Sequence, residues 1–289
     1  MSATPPFDDQ RERASAFRRL HADGIFVMPC AWDAGSALAM QAAGFAAIGT
    51  TSGGVNWSRG RLDYVYATPR HHMLDDYRAV AGAVTLPVSG DLENGYGDEP
   101  EVVASTVHLA IEAGMVGGSI EDQPTEPGPG LLPIALAVER IEAARATADR
   151  LLPDFVLTAR AESFFAGDGD GDPDEALADA VERANRYVDA GADCIFVPGP
   201  TDLPTLRRLV DDIDAPISLG IGSGGGRLRL DDLAAIGVRR VSTGGALPRA
   251  VYGLVADAGA EMLTDGTFGF TARAVDEAAV NRLMDRAPR

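Results

Sequence analysis

Eight short apolar runs, rich in β-branched residues, recur along the chain, and each leads into a longer stretch with helical spacing. They occupy residues 25–29, 46–50, 86–90, 116–121, 155–160, 194–198, 216–220 and 240–244. Segments 100–114, 133–149 and 174–191 carry apolar residues at helical intervals. Several such stretches stop on a glycine that opens into the next run, as in EAGMVGGSI, DAGADCIFV and AIGVRRVST. Strands alternating with helices imply parallel strands joined by right-handed crossovers. Eight such units in 289 residues predict a (β/α)8 barrel of the TIM type, a single domain over residues 1–289. A doubly wound open sheet is the competing topology. Against it, no GxGxxG follows the first run, and the glycine-rich stretch 220–226 comes late and reads as a loop. Residues 8–23 predict an extra N-terminal helix and residues 271–286 an extra C-terminal one. The latter carries Val275, Val280, Leu283 and Met284 beyond the eighth unit, so it needs a surface to cover, expected on a neighbouring subunit.

All 25 basic residues are arginine, and lysine is absent. A lysine Schiff base is therefore impossible, as is a phosphate loop closing on Gly-Lys. A formal charge of −18 opposes nucleic acid and anionic membranes as partners, because both reward clustered cations. No apolar run approaches the roughly 18 residues that span a bilayer. The charged N-terminal stretch lacks the apolar centre of a secretory signal. The expectation is a cytoplasmic protein with no nucleic-acid or membrane partner. Two cysteines, Cys30 and Cys194, are too few for a disulfide framework.

In a barrel of this kind the chemistry sits at the C-terminal ends of the strands. The second run is followed by Ser52, Gly53, Gly54 and, further on, Asp63. The third ends on Asp91 with Glu93 two residues on, the fourth on Glu121 and Asp122, and the fifth on Arg160 with Glu162 beyond. Acidic groups from three consecutive strands thus converge on one rim. Such hard oxygen ligands suit Mg²⁺ or Mn²⁺, often through water; without a cation the carboxylates would repel one another. Arg160, in an apolar strand, needs either a structural partner such as Glu121 or Glu162 or a substrate carboxylate to clamp. Asp168, Asp170, Asp172 and Asp174 alternate as in a calcium loop, but Pro173 stands where the turn glycine belongs and Asp179 where the bidentate glutamate belongs. His21, His71, His72 and His108 fall away from the rim, which argues against zinc or histidine-base chemistry. Cys194 reads as a core residue and Cys30 as a thiol near the rim.

These motifs carry a resemblance. The stretch PCAWDAGSALAMQAAGFAAIGTTSGG, then GDLENGYGD, SIEDQ, TARAESF and EAL…RANRYVDAGAD, resembles the isocitrate lyase / phosphoenolpyruvate mutase superfamily over residues 20–260. The resemblance implies a barrel whose C-terminal helix is exchanged between subunits of a homodimer or homotetramer. It also implies Mg²⁺-dependent stabilisation of a 2-oxo acid enolate while a bond at C3 breaks or forms. Asp91, Glu93 and Glu121 would hold Mg²⁺, mostly through waters. Thr50, Ser52, Gly53 and Gly54 would line the substrate, with the Ser52 hydroxyl and Gly53 N–H on its carboxylate and oxyanion. Arg160 would pair with the carboxylate, and Asp63 would sit near the reacting centre.

Departures from the family pattern narrow the reaction. The segment after SIEDQ, residues 124–133, reads PTEPGPGLLP and lacks the Lys-x-Cys-Gly-His of isocitrate-type lyases and the Lys and Asn of the phosphonomutases. Pro198 and Gly199 stand where other members place His or Glu. The expected function is therefore a Mg²⁺-dependent lyase or decarboxylase acting on a small 2-oxo or 2-hydroxy (di)carboxylate. Decarboxylation survives the missing loop residues because water can protonate an enolate. The alternatives are a P–C bond enzyme and a barrel that binds a 2-oxo acid without turnover.

Overall fold

The computed structural model describes residues 6–63, 66–126, 128, 130–166, 172–222 and 227–285. Nine parallel strands form one sheet in the order β1-β9-β8-β7-β6-β5-β4-β3-β2. They are β1 (Phe26–Met28), β2 (Cys30–Ala31), β3 (Ile48–Thr50), β4 (Val88–Asp91), β5 (Gly117–Glu121), β6 (Val156–Arg160), β7 (Cys194–Phe196), β8 (Ile217–Gly220) and β9 (Arg240–Ser242). The first of the eight predicted runs is split. Pro29 has no N–H to give a ladder and separates β1, which pairs with β9, from β2, which pairs with β3. The two halves are consecutive in the chain, so the sheet curls into a TIM-like barrel.

The helices are α1 (Pro6–Leu20), α2 (Ala34–Ala42), α3 (Ser52–Ser58), α4 (Arg70–Ala83), α5 (Pro100–Glu112), α6 (Ile134–Leu151), α7 (Pro173–Asp189), α8 (Leu203–Asp212), α9 (Leu230–Ala235), α10 (Ala246–Thr264) and α11 (Glu277–Met284). Asp33, Thr51, Asp172 and Asp202 cap α2, α3, α7 and α8 by accepting backbone N–H groups that the first turn leaves unpaired. After α5, α7 and α9, Gly114, Gly191 and Gly237 take φ of +94°, +100° and +93°, the left-handed conformation that lets the chain turn from helix into strand. Helix α7 shows the packing logic: Leu177, Ala180, Ala184 and Tyr187 recur every three or four residues and are all buried.

Helix α1 lies against the barrel away from the strand C-termini. Its Phe17 is fully buried and occupies the space that a Cβ on Gly117 would need. Its Gln10 donates to the carbonyls of Ile111 and Met115 at 2.8 and 2.9 Å. Inside the barrel the buried Arg240 donates to Ser218 at 2.8 Å and Thr158 at 3.0 Å and meets His21 at 3.2 Å.

The C-terminal segment departs from expectation. In place of one helix over 271–286, a 3-10 turn (Gly269–Arg273) precedes a short α11, which leans on α2 of the same chain. Helix α10, which the apolar-run pattern did not single out, is long and mostly exposed, with Val251, Tyr252, Val255 and Leu263 facing outward.

Candidate active site

Strands β3 to β6 end side by side, and their last residues open into one cavity of about 580 Å³ at the C-terminal mouth of the barrel. Thr50, Ser52, Gly53, Asp63, Asp91, Glu93, Glu121 and Arg160, all singled out from sequence, line it. Gly54 does not. A Cβ there would lie 2.7 Å from Thr51 Cγ2 and 2.8 Å from Trp32 Cβ, so Gly54 serves close packing.

The carboxylates are organised by one guanidinium. Arg160 contacts Glu162 Oε1 at 2.7 Å, Glu121 Oε2 at 3.0 Å and Asp91 Oδ1 at 3.3 Å, with Phe196 stacked 5.3 Å from its Cζ. Both readings of Arg160 as a partner of Glu121 or of Glu162 therefore hold together, and Asp91 joins them. On its other oxygen Asp91 accepts from the Ser52 N–H at 3.0 Å and the Ser52 hydroxyl at 2.9 Å. Its backbone is fixed as well: its N–H donates to Thr50 Oγ1 at 2.9 Å, and its carbonyl accepts from the Tyr77 hydroxyl at 2.6 Å. Ser52, expected on the substrate, thus spends its polar groups on orienting Asp91.

Glu93 is different. It takes a left-handed φ of +51°, is 5% exposed, and its Oε2 is buried without a hydrogen-bond partner. Burial, and then repulsion from Asp91, Glu121 and Asp63, push its carboxyl up to about 8. Burial likewise raises Glu121, with Arg160 opposing. Tyr66, which the motifs did not flag, donates its hydroxyl to Glu121 Oε1 at 3.3 Å; burial and the neighbouring carboxylates hold it protonated. Asp122 belongs to the scaffold, since its oxygens accept from the Tyr187 hydroxyl at 2.6 Å, the Glu162 N–H at 3.0 Å and Arg183 at 3.2 Å.

An orphaned carboxylate oxygen beside two further acids is what a divalent cation would relieve. Among the described residues no three acid, histidine or cysteine side chains gather closely enough to grip an ion directly. Mg²⁺ held by these residues would keep several of its waters, as its reluctance to dehydrate favours.

The remaining expectations divide. Cys30 lines the cavity but is buried, and burial pushes its thiol up; Cys194 is buried at the start of β7. His71, His72 and His108 sit on the outer helices α4 and α5, and His21 sits within the Arg240 network. Asp168 and Asp170 lie outside the described residues, while Asp172 caps α7. The segment after Glu121 is tied down at its start, where Thr125 donates to Asp98 at 2.8 and 2.9 Å and accepts from Asn94 at 3.0 Å. Trp57 of α3, Thr243 and Arg249 also line the cavity; no motif marked Thr243 or Arg249, because β9 and the start of α10 carry no acidic signature. No described helix is long and apolar enough to cross a membrane.

The comparisons agree with this architecture. A Burkholderia cenocepacia J2315 structure assigned as a lyase/mutase superposes with a TM-score of 0.86 at 44% identity, covering 95% of this chain and 96% of that one. An uncharacterized protein of Mycobacterium tuberculosis is 37% identical over 79% of this chain and 81% of its own length. The 2-methylisocitrate lyase of Escherichia coli K12 is 33% identical over 65% of this chain and 62% of its own length. Residues 17–263 match the phosphoenolpyruvate phosphomutase family model. The chain belongs to that family, and it is an enzyme of the isocitrate lyase / phosphoenolpyruvate mutase superfamily.

Proposed function

We propose that this enzyme is a Mg²⁺-dependent lyase or decarboxylase, with Mn²⁺ as a substitute, that breaks the bond at C3 of a small 2-oxo or 2-hydroxy (di)carboxylate through an enolate. The observation that carries the reading is the buried, partnerless oxygen of Glu93 beside Asp91 and Glu121 at the mouth of a parallel barrel. Asp91, Glu93 and Glu121 would hold the cation, mostly through waters. When bound, it supplies positive charge toward the substrate's 1-carboxylate and 2-oxo oxygens.

The chain's own residues do the rest. Arg160 holds Asp91, Glu121 and Glu162 in register and lines the cavity beside Phe196, where its N–H edge would orient the substrate carboxylate. Backbone N–H groups at the start of α3, Gly53 foremost, donate to the oxyanion as charge develops. One such donor is worth roughly 3–4 kcal/mol. Asp63, whose carboxylate lies against Gly53, stands where it can move a proton at the reacting carbon, with water as the other source. The segment 124–133 contributes no lysine, cysteine, histidine or asparagine, which favours decarboxylation or hydrolytic cleavage over phosphoryl transfer.

The enzyme acts as a homo-oligomer, dimer or tetramer, in which a second copy covers the apolar outer face of α10 and the segment after it. A pyruvate-release assay with Mg²⁺ across a panel of oxo and hydroxy diacids tests the activity. Release from at least one substrate, abolished by chelation, is expected. Tight binding of oxo acids without turnover would establish a binding barrel, and phosphonopyruvate as the sole substrate would establish P–C chemistry.

A further inference from the structure

Arg140 heads the fully buried side chains of the described residues by size, at 1% exposure, and no carboxylate lies within salt-bridge distance of it among those residues. It stands on the inner stripe of α6, with Ala137, Ile141, Ala144 and Ala148, at a position where an apolar side chain would ordinarily pack. A buried guanidinium with no carboxylate in contact, only Asp98 and Asp122 further off, is costly unless its donors are used.

The donors of its two Nη atoms go to backbone, while Nε is buried without a hydrogen bond. Nη1 donates to the carbonyl of Glu121 at 3.1 Å, and Nη2 donates to the carbonyls of Asn94 and, at 3.3 Å, Gly97. Those carbonyls belong to the two segments that carry Glu93 and Glu121. The first is an unusual turn, with Glu93, Gly95 and Tyr96 at φ of +51°, +81° and +63°. Side-chain-bearing residues resist this left-handed region, so a turn with two of them persists only where its surroundings hold it. Arg140 grips it at Asn94 and again at Gly97, and the Glu121 N–H closes the link by donating to the Glu93 carbonyl at 3.0 Å.

We propose that Arg140 is a positioning residue for the divalent-cation site: it locks the left-handed turn at 93–97 onto the end of β5 and thereby fixes the Glu93 and Glu121 carboxylates relative to each other. The inference rests on the metal reading given above. Arg140 touches neither cation nor substrate and acts only through the backbone it holds. Outer-shell partners of this kind typically change metal affinity by about 10- to 100-fold when removed.

Calorimetric Mg²⁺ titrations of the full-length wild type, Arg140→Met and Arg140→Lys test it, with circular dichroism to verify folding. Arg140→Met is expected to weaken Mg²⁺ by about 10- to 100-fold. Arg140→Lys, whose ammonium cannot span three carbonyls as the planar fork does, is expected to fall between it and wild type. Raising Mg²⁺ should recover most of the lost turnover, a rescue that a merely structural defect would not show. A folded Arg140→Met with Mg²⁺ affinity within about twofold of wild type overturns the proposal. Should that variant fail to fold, unchanged Mg²⁺ affinity in Arg140→Lys overturns it instead. Absence of Mg²⁺ binding in the wild type would defeat the metal reading itself, and the proposal with it.

Discussion

Replacing Gly53 by alanine separates the site from the scaffold. Gly53 lies in the first turn of α3, and its φ is not in the left-handed region, so alanine fits the backbone. The exchange should stabilise the helix slightly, by about 0.5–1 kcal/mol. The added Cβ, however, would fall 2.5 Å from Asp63 Oδ2 and 3.3 Å from Trp57 Cη2. Carbon contacts settle at about 3.5 Å or more, so the Asp63 carboxylate must retreat by about 1 Å. It is the far end of a flexible side chain and can do so at little cost to the fold. A displacement of about 1 Å in a reacting group is worth about 100-fold in rate, or about 2.7 kcal/mol of transition-state stabilisation. Urea unfolding should therefore show Gly53→Ala at least as stable as wild type, while steady-state kinetics on the active diacid show kcat down by about 100-fold. Unchanged kcat would remove Asp63 from the chemistry. A loss of stability equal to the loss of activity would show that the damage is to packing.

Three further outcomes follow from the same structure. The Cys30→Ala, Cys194→Ala double variant should keep most of its activity, because both thiols are buried and held protonated; a turnover loss of about 100-fold with intact Mg²⁺ binding would make Cys30 the proton donor. His21, buried beside Arg240, stays neutral down to about 3, whereas in the unfolded chain it takes up a proton near 6.5. Between those values the unfolded state binds the extra proton, so this contribution to stability is complete above 6.5 and lost as the pH falls toward 3. From pH 7 to pH 5 the wild type should lose about 2 kcal/mol more than His21→Gln in urea unfolding, and parallel losses would contradict the assignment. Light scattering should report a dimer or tetramer; a monomer at micromolar concentration would leave the outer face of α10 unexplained.

The rim was legible in the sequence because its residues stand at fixed offsets from strand ends, and strand ends are marked by apolar runs and glycine stops. Asp91, Glu121 and Arg160 are the last residues of β4, β5 and β6, so locating the strands located them. What pattern could not supply was direction. Ser52 and Gly54 sit in the same motif as Gly53, yet one turns to Asp91 and the other into the packing against Trp32. Arg140 left a trace that went unread, a charge on the apolar stripe of α6. Pro29 likewise announced the split of the first strand, since a residue without an N–H cannot continue a ladder on both sides. Helix α10 escaped because its apolar residues face outward and mimic no buried stripe.

If this cavity stabilises the enolate of a 2-oxo acid, proton exchange reports it without knowledge of the natural substrate. Pyruvate incubated in D₂O with the enzyme and Mg²⁺ should exchange its methyl protons, followed by NMR, faster than in buffer with Mg²⁺ alone. Chelation should stop the exchange, and Glu93→Ala should slow it. Exchange no faster than the buffer control for both pyruvate and 2-oxobutyrate, with Mg²⁺ bound, would contradict the account.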